Sequence, residues 1–340
     1  VPAPCRDPAM SAANRRYRLL CLTPLPAIFI GLWLGAELAH WSDWWALWRG
    51  DETPFAQLLM TWRLPRVLAA FCVGACLGLA GVIFQGVFRN PLAEPYLLGS
   101  APGAAVGAAI ALLVPLPLAM SLSLPLLAFA GAWGATLLVL LITRLTRIND
   151  TSGLLLAGIA VAALLGALRS LLLLALSDET VNLQVVLSWT LGGIHTPDFP
   201  ALGLLALLTG LALICAQRLA HGLDLLGLGD HVAYSMGLRP QRFINVSLLL
   251  AAAITALAVS WGGLVGFVGL VAPHAVRWLI GPTHKRLIVA SALTSGALLA
   301  LLDGLARSVL PPAEIPLGLL TALLGAPFFL LLLTRARPAA

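Results

Sequence analysis

Arginines set against apolar runs carry the chemistry available to this chain. Arg63-Leu-Pro-Arg66 opens one such run, and the polar elbow Gln85-Gly-Val-Phe-Arg-Asn90-Pro-Leu-Ala-Glu-Pro95 closes it. Each guanidinium is a planar fork that matches a carboxylate or a phosphate, so the pair can receive an acidic protein partner or anchor to lipid headgroups. Arg307 stands at the end of a later run. Arg169 lies near the middle of the run Gly153 to Leu176, where a charge costs on the order of 3 kcal/mol and normally faces a cavity or a partner. Bond-making chemistry has no support. There is no nucleophile elbow, no HExxH, no cysteine–histidine ligand set and no Walker A loop, and the only lysine, Lys285, lies outside any glycine-rich turn. The subunit is expected to be neither an enzyme nor a metal protein, and ATP-driven work would need a separate ATPase.

The elements that must position these residues are membrane helices. A chain of 340 residues that is 60% hydrophobic and 10% charged, with a mean hydropathy of +0.97, has more apolar surface than a water-soluble core can hide. Crossing the hydrocarbon layer takes about 20 apolar residues with the backbone satisfied internally, and continuous runs without alternation select helices over barrel strands. The runs are Leu19 to Ala39, Leu64 to Phe88, Leu97 to Pro115, Leu122 to Ile142, Gly153 to Leu176, Phe199 to Ala216, Phe243 to Val259, Gly263 to Ile280, Leu287 to Ala306 and Ile315 to Leu333. The expected fold class is an all-α integral membrane protein, a polytopic bundle of ten transmembrane helices. Residues 1-18 and 336-340 read as cytoplasmic tails around one transmembrane domain, 19-335, with a loop at about 218-242 too polar to span.

The net charge of +6 does not point to nucleic acid, because the basic residues are scattered singly between spans. With the amino terminus inside, most of them fall on the cytoplasmic side. Arg49, Arg63, Arg66 and Arg307 share the outer side with Glu37, Asp43, Asp51, Glu52, Asp178, Glu179, Asp198 and Glu314. This is the positive-inside pattern, with both termini cytoplasmic, and the tryptophans from Trp33 to Trp62 read as interfacial anchors of the first outer loop. Cys21, Cys72, Cys76 and Cys215 fall in spans and read as small packing residues. His195 and His40 are outer-loop residues without the paired ligand that a metal-binding role would need.

The motifs Arg63-Leu-Pro-Arg66, Asn90-Pro-Leu-Ala-Glu-Pro95, Leu98-Gly99, Leu154-Leu-Leu-Ala-Gly158, Gly266-Phe-Val-Gly-Leu-Val-Ala-Pro-His274-Ala-Val-Arg277, Glu314-Ile-Pro-Leu-Gly318 and Gly325-Ala-Pro-Phe328 run in order to the carboxyl end. Together they closely resemble permease subunits of bacterial ABC importers for ferric siderophores, haem and cobalamin (FecCD/BtuC-like). The resemblance implies a type II importer permease in the bacterial inner membrane. It also implies a homodimer with a pathway on its twofold axis, two copies of a cytoplasmic ABC ATPase that binds ATP and Mg, and a periplasmic substrate-binding protein. By the same resemblance Arg63, Arg66 and Arg307 receive acidic residues of the binding protein. Asn90 and Leu92, with Thr151 and Ser152, narrow the cytoplasmic exit. Leu226, Gly227, Gly229, Asp230, Ala233 and Gly237 belong to the coupling loop seated in the ATPase. Arg169 looks like the fifth-helix arginine of haem permeases, so haem is the expected cargo.

Plainer readings stand beside these. The outer arginines could be lipid anchors, the coupling loop an amphipathic surface loop, and Asn90 and Thr151 helix caps. Arg169 could be structural or paired with Asp303, the one carboxylate within a span. The rival cargoes are a ferric siderophore or cobalamin. The rival classes are an ion-coupled secondary transporter, which would need a relay of buried carboxylates or histidines, and a receptor-like membrane protein.

Overall fold

A computed structural model describes residues 8–335 except 36, 38, 52, 148–150, 177 and 178. The described residues that form regular structure are helical. In chain order the helices are α1 Pro8–Leu22, α2 Pro24–Trp33, α3 Trp41–Arg49, α4 Pro54–Leu58, α5 Leu64–Phe88, α6 Ser100–Leu113, α7 Met120–Leu145 and α8 Thr151–Leu176. There follow α9 Glu179–Thr190, α10 Phe199–Gly227, α11 Asp230–Ser235, α12 Pro240–Gly262, α13 Val268–Ile280, α14 His284–Ser308 and α15 Leu317–Arg335. A π-helical turn, Leu59–Arg63, joins α4 to α5.

Six of these helical stretches are long and apolar enough to cross a membrane: Pro54–Phe88, Met120–Leu145, Ser152–Leu176, Phe199–Gly227, Pro240–Gly262 and His284–Ser308. Ser100–Leu113, Val268–Ile280 and Leu317–Leu332 are apolar but shorter. The expected run Leu19 to Ala39 is displaced and divided. Helix already begins at Pro8, inside the expected tail, breaks at Thr23 before Pro24 and Pro26, and ends at Trp33. Hydropathy marks what is apolar, whereas the prolines decide where amide donors are missing. The run Gly263 to Ile280 likewise starts as loop. Phe267 takes a left-handed φ of 66° and helix begins only at Val268. Helix α9 was not expected, because Glu179, Asn182 and Gln184 interrupt its apolar pattern.

Helix α5 is the axis of the packing, touching α14, α12, α10, α13 and α2. It is apolar all round and buried on nearly every residue from Val67 to Val87, as such a helix must be. Small residues let its neighbours approach. A Cβ on Gly81 would lie 1.8 Å from Gly269 O, and one on Gly107 of α6 would lie 1.9 Å from Leu127 O of α7. Both contacts are of the small-residue kind that packs membrane helices when water supplies no driving force between them. In contrast, 6% of the apolar window of α8 is buried against 89% for Pro54–Phe88.

The fold sorts the charged residues by end. Arg63, Arg66, Arg307, Asp303 and Glu314 gather at one end of the bundle. The other end holds the Arg89–Asp230 pair, the contact of His284 with Asp224 and the Arg286–Asn14 bond. Loop charge had set Arg63, Arg66, Arg307 and Glu314 on one side and Arg89 and Arg286 on the other, and they lie at opposite ends here.

Candidate functional site

The π-helical turn before α5 aims the first arginines. The Leu64 amide reaches back to Leu59 O rather than to the carbonyl four residues away, and Pro65 follows within the first turn. Arg63 is thereby folded inward. It is 6% exposed, donates to Glu37 O at 2.5 Å and Leu32 O at 3.4 Å, and lies 5.1 Å over the Phe55 ring. Arg66, one turn on, donates from Nε to Asp303 Oδ1 at 3.1 Å. Its Nη1 and Nη2 fork onto Glu314 Oε1 and Oε2 at 3.0 and 2.7 Å. Arg307 donates from Nε to Asp303 Oδ2 at 3.1 Å and from Nη2 to Gly31 O at 3.1 Å.

Asp303, 1% exposed, is therefore clamped between two guanidiniums on α5 and α14. A buried carboxylate is tolerated only with such pairing, and removal of either side leaves a desolvated charge. The cluster floors an open cleft of about 370 Å³ lined also by Gly35, Glu37, Leu58, Trp62 and Thr196. Beside it, burial and the Arg66 charge hold the His195 imidazole below its ordinary pKa, which favours the neutral ring next to the arginines.

The three arginines grouped by the sequence are not equivalent here. Arg63 and Arg307 are each 6% exposed and tied to backbone carbonyls, whereas Arg66 presents its fork to Glu314, whose side chain is half exposed. The suggested Arg169–Asp303 pair does not form, since Asp303 is taken by Arg66 and Arg307. Glu314 is the member that sequence reasoning missed. Its place in Glu314-Ile-Pro-Leu-Gly318 on the outer side was the available signal, but nothing local joins positions 248 residues apart.

At the opposite end α5 stops at Arg89, which caps it in the left-handed region at φ 49°. Asn90 then closes the elbow, its Oδ1 accepting from the Leu92 amide at 2.9 Å, and Glu94 accepts from the Phe267 amide at 2.8 Å before α13. Asn90 and Ser152 are exposed. Thr151 opens α8, and its side chain lies outside the described residues. No hydrogen bond joins the Asn90 elbow to Ser152 among the described residues.

The coupling segment differs from its expected form. Residues 218–227, expected as the start of the loop, continue α10, because no proline or left-handed glycine stands before Gly229. That glycine, at φ 106°, makes the break, α11 follows, and Gly237 at φ 88° ends it. Leu226 and Ala233 are buried, while Leu228, Val232, Tyr234 and Met236 are 62, 43, 70 and 58% exposed. Gly227, Asp230 and Gly237 are exposed around them, and Asp230 pairs with Arg89.

Arg169 sits along α8 with its Nε buried and without a hydrogen-bond partner. Among the described residues no group of His, Cys, Asp and Glu is arranged to hold a metal.

Comparison with known proteins bears on this arrangement. The model of the FecCD transport family matches residues 22–335. A cobalamin import system permease, BtuC of Halobacterium salinarum, is 41% identical over 82% of this chain and 74% of its own. The hemin transport system permease HmuU of Yersinia pestis is 39% identical over 81% of this chain and 82% of its own. A solved structure described as an inward-facing metal-chelate type ABC transporter superposes with a TM-score of 0.83 at 30% identity, covering 95% of this chain and 99% of that one.

Proposed function

The chain belongs to the FecCD transport family as a permease subunit of an ABC importer, and from that premise we propose that its cargo is haem. A periplasmic binding protein hands the cargo to a homodimer of this chain with ten spans per subunit and both termini cytoplasmic. A separate ATPase pair, which carries ATP and Mg, drives alternating access. Acidic residues of the binding protein dock on the end that holds Arg66, with Arg63 and Arg307 contributing to its positive field. The apolar face of α11 seats in the ATPase, and the Asn90–Leu92 and Thr151–Ser152 stretches close the exit. This subunit breaks no bond.

The observation that carries the haem reading is Arg169, a cation on an apolar helix with a buried, unpartnered Nε. Intramembrane charges without internal partners mark pathways. Two copies facing each other across a twofold axis suit a cargo with two carboxylates, and haem carries two propionates. The similarity to a hemin permease supports this cargo class, and the similarity to a cobalamin permease supports the second reading, cobalamin or a ferric siderophore.

The test is uptake into proteoliposomes holding the permease and its ATPase, with binding-protein-delivered haem, ferric siderophore and cobalamin offered in parallel. ATP-dependent haem uptake that falls at least about tenfold in Arg169→Ala is expected, as for loss of a buried charge-assisted contact. Uptake of another cargo, indifferent to the substitution, would keep the importer and discard haem. Uptake driven by an ion gradient without ATP would discard the importer reading.

A further inference from the structure

We propose that Glu314 is a built-in occupant of the carboxylate seat on Arg66, so that the binding protein docks by exchanging its own carboxylate for that of Glu314. The proposal rests on the docking reading and adds to it the group that must leave.

The two carboxylates on Arg66 are held in different ways. Asp303 is 1% exposed, lies inside α14 and is shared with Arg307, so it is a fixed part of the floor. Glu314 is half exposed and touches Arg66 alone among the cluster's arginines. It lies in the segment between α14 and α15 and lines the open cleft. Its fork, 3.0 and 2.7 Å on the two terminal nitrogens, is the geometry an incoming glutamate would adopt. While Glu314 is seated, its fork takes one N–H of each terminal nitrogen of Arg66 and Asp303 takes Nε, so only single N–H groups are left and the two-point seat is closed to another carboxylate.

Release needs only a side-chain rotation. The backbone after Glu314 is anchored independently: the Ile315 amide donates to Ala306 O at 3.0 Å, Leu317 to Gly192 O at 2.9 Å and Gly318 to Leu191 O at 3.0 Å. Charge bookkeeping favours exchange over addition. Arg63, Arg66 and Arg307 are matched by Glu37 and Glu314 in the cleft and by Asp303 beneath it, three charges against three, so a partner carboxylate finds a free guanidinium only once Glu314 swings out. Exposed ion pairs are weak enough to be traded in this way.

The experiment measures binding of the cognate periplasmic protein to the permease–ATPase complex in nanodiscs, by surface plasmon resonance, for wild type, Glu314→Gln, Arg66→Gln and the double variant. Glu314→Gln is expected to bind about threefold to fivefold tighter, chiefly through faster association, the fold-change that removal of a competing exposed pair allows. In the Arg66→Gln background the same substitution is expected to do nothing. Equal or weaker binding by Glu314→Gln, with Arg66→Gln also weakened, overturns the exchange and leaves docking on Arg66 intact. Unchanged binding by Arg66→Gln overturns the docking reading itself. A gain from Glu314→Gln that persists without Arg66 also overturns the exchange. If Glu314→Gln fails to fold, Glu314→Asp serves instead. It is one methylene shorter and loses the two-point fork while keeping the charge, so the same direction is expected with a smaller gain.

Discussion

The two ends of the bundle solve opposite problems. At the Arg66 end, charges from α5, α14 and the segment before α15 close on one another over a carboxylate that is 1% exposed. At the Asp230 end, a six-residue helix between two left-handed glycines leaves Leu228, Val232, Tyr234 and Met236 uncovered, and the ion pair of Asp230 with Arg89 is exposed on both sides. The first end pairs its charges internally without a partner, and on the reading proposed above it accepts one by exchange. The second is incomplete, since an apolar face beside polar residues marks a protein interface. On the proposed function, one chain would thus present two kinds of docking surface, one read by charge and one by apolar area.

The sharpest way to break the contrast is to remove the centre of the first end. Asp303→Ala leaves Arg66 and Arg307 without their buried counter-ion and is expected to lower stability by about 3–5 kcal/mol, read as a drop in the thermal midpoint of the detergent-solubilised subunit. If the midpoint stays within a degree or so, the cluster is not a buried ionic core. Next in size, Val232→Asp or Tyr234→Asp is expected to weaken ATPase association by at least about tenfold, measured by co-purification. The melting of the subunit alone should not change, because these side chains touch solvent there. The smallest effect is expected from Arg89→Ala. An exposed pair contributes less than about 1 kcal/mol, and the difference from wild type should vanish in high salt.

Much of the architecture was legible from residue type alone. The helix Leu64–Phe88 falls where its apolar run begins and ends, because Pro65 and the Asn90-Pro91 elbow punctuate it locally. The grouping of charges into two ends was legible from loop charge, since lipid imposes one rule on every loop. The break at Thr23, the late start of α13 at Val268 and the helix Glu179–Thr190 were not. Each depends on backbone hydrogen bonds or neighbouring helices that a hydropathy run does not register. The site was half legible. Its three arginines were named from the Arg63-Leu-Pro-Arg66 pattern and the end of the ninth run, but Asp303 was offered to Arg169, and Glu314 was left as one more outer acid.

By itself, the sequence determined that this chain lives in a bilayer, which family it joins, and which residue types stand at each membrane face. Those properties follow from composition and from motifs a few residues long. Tertiary structure alone decided which carboxylate answers which arginine. Positions 66, 303 and 314 become neighbours only when α14 lies along α5 and the segment before α15 folds over both. Ion pairs act over a few ångströms while the chain between these residues runs for more than 200 positions, so the pairing belongs to the packing of helices and not to any stretch of sequence.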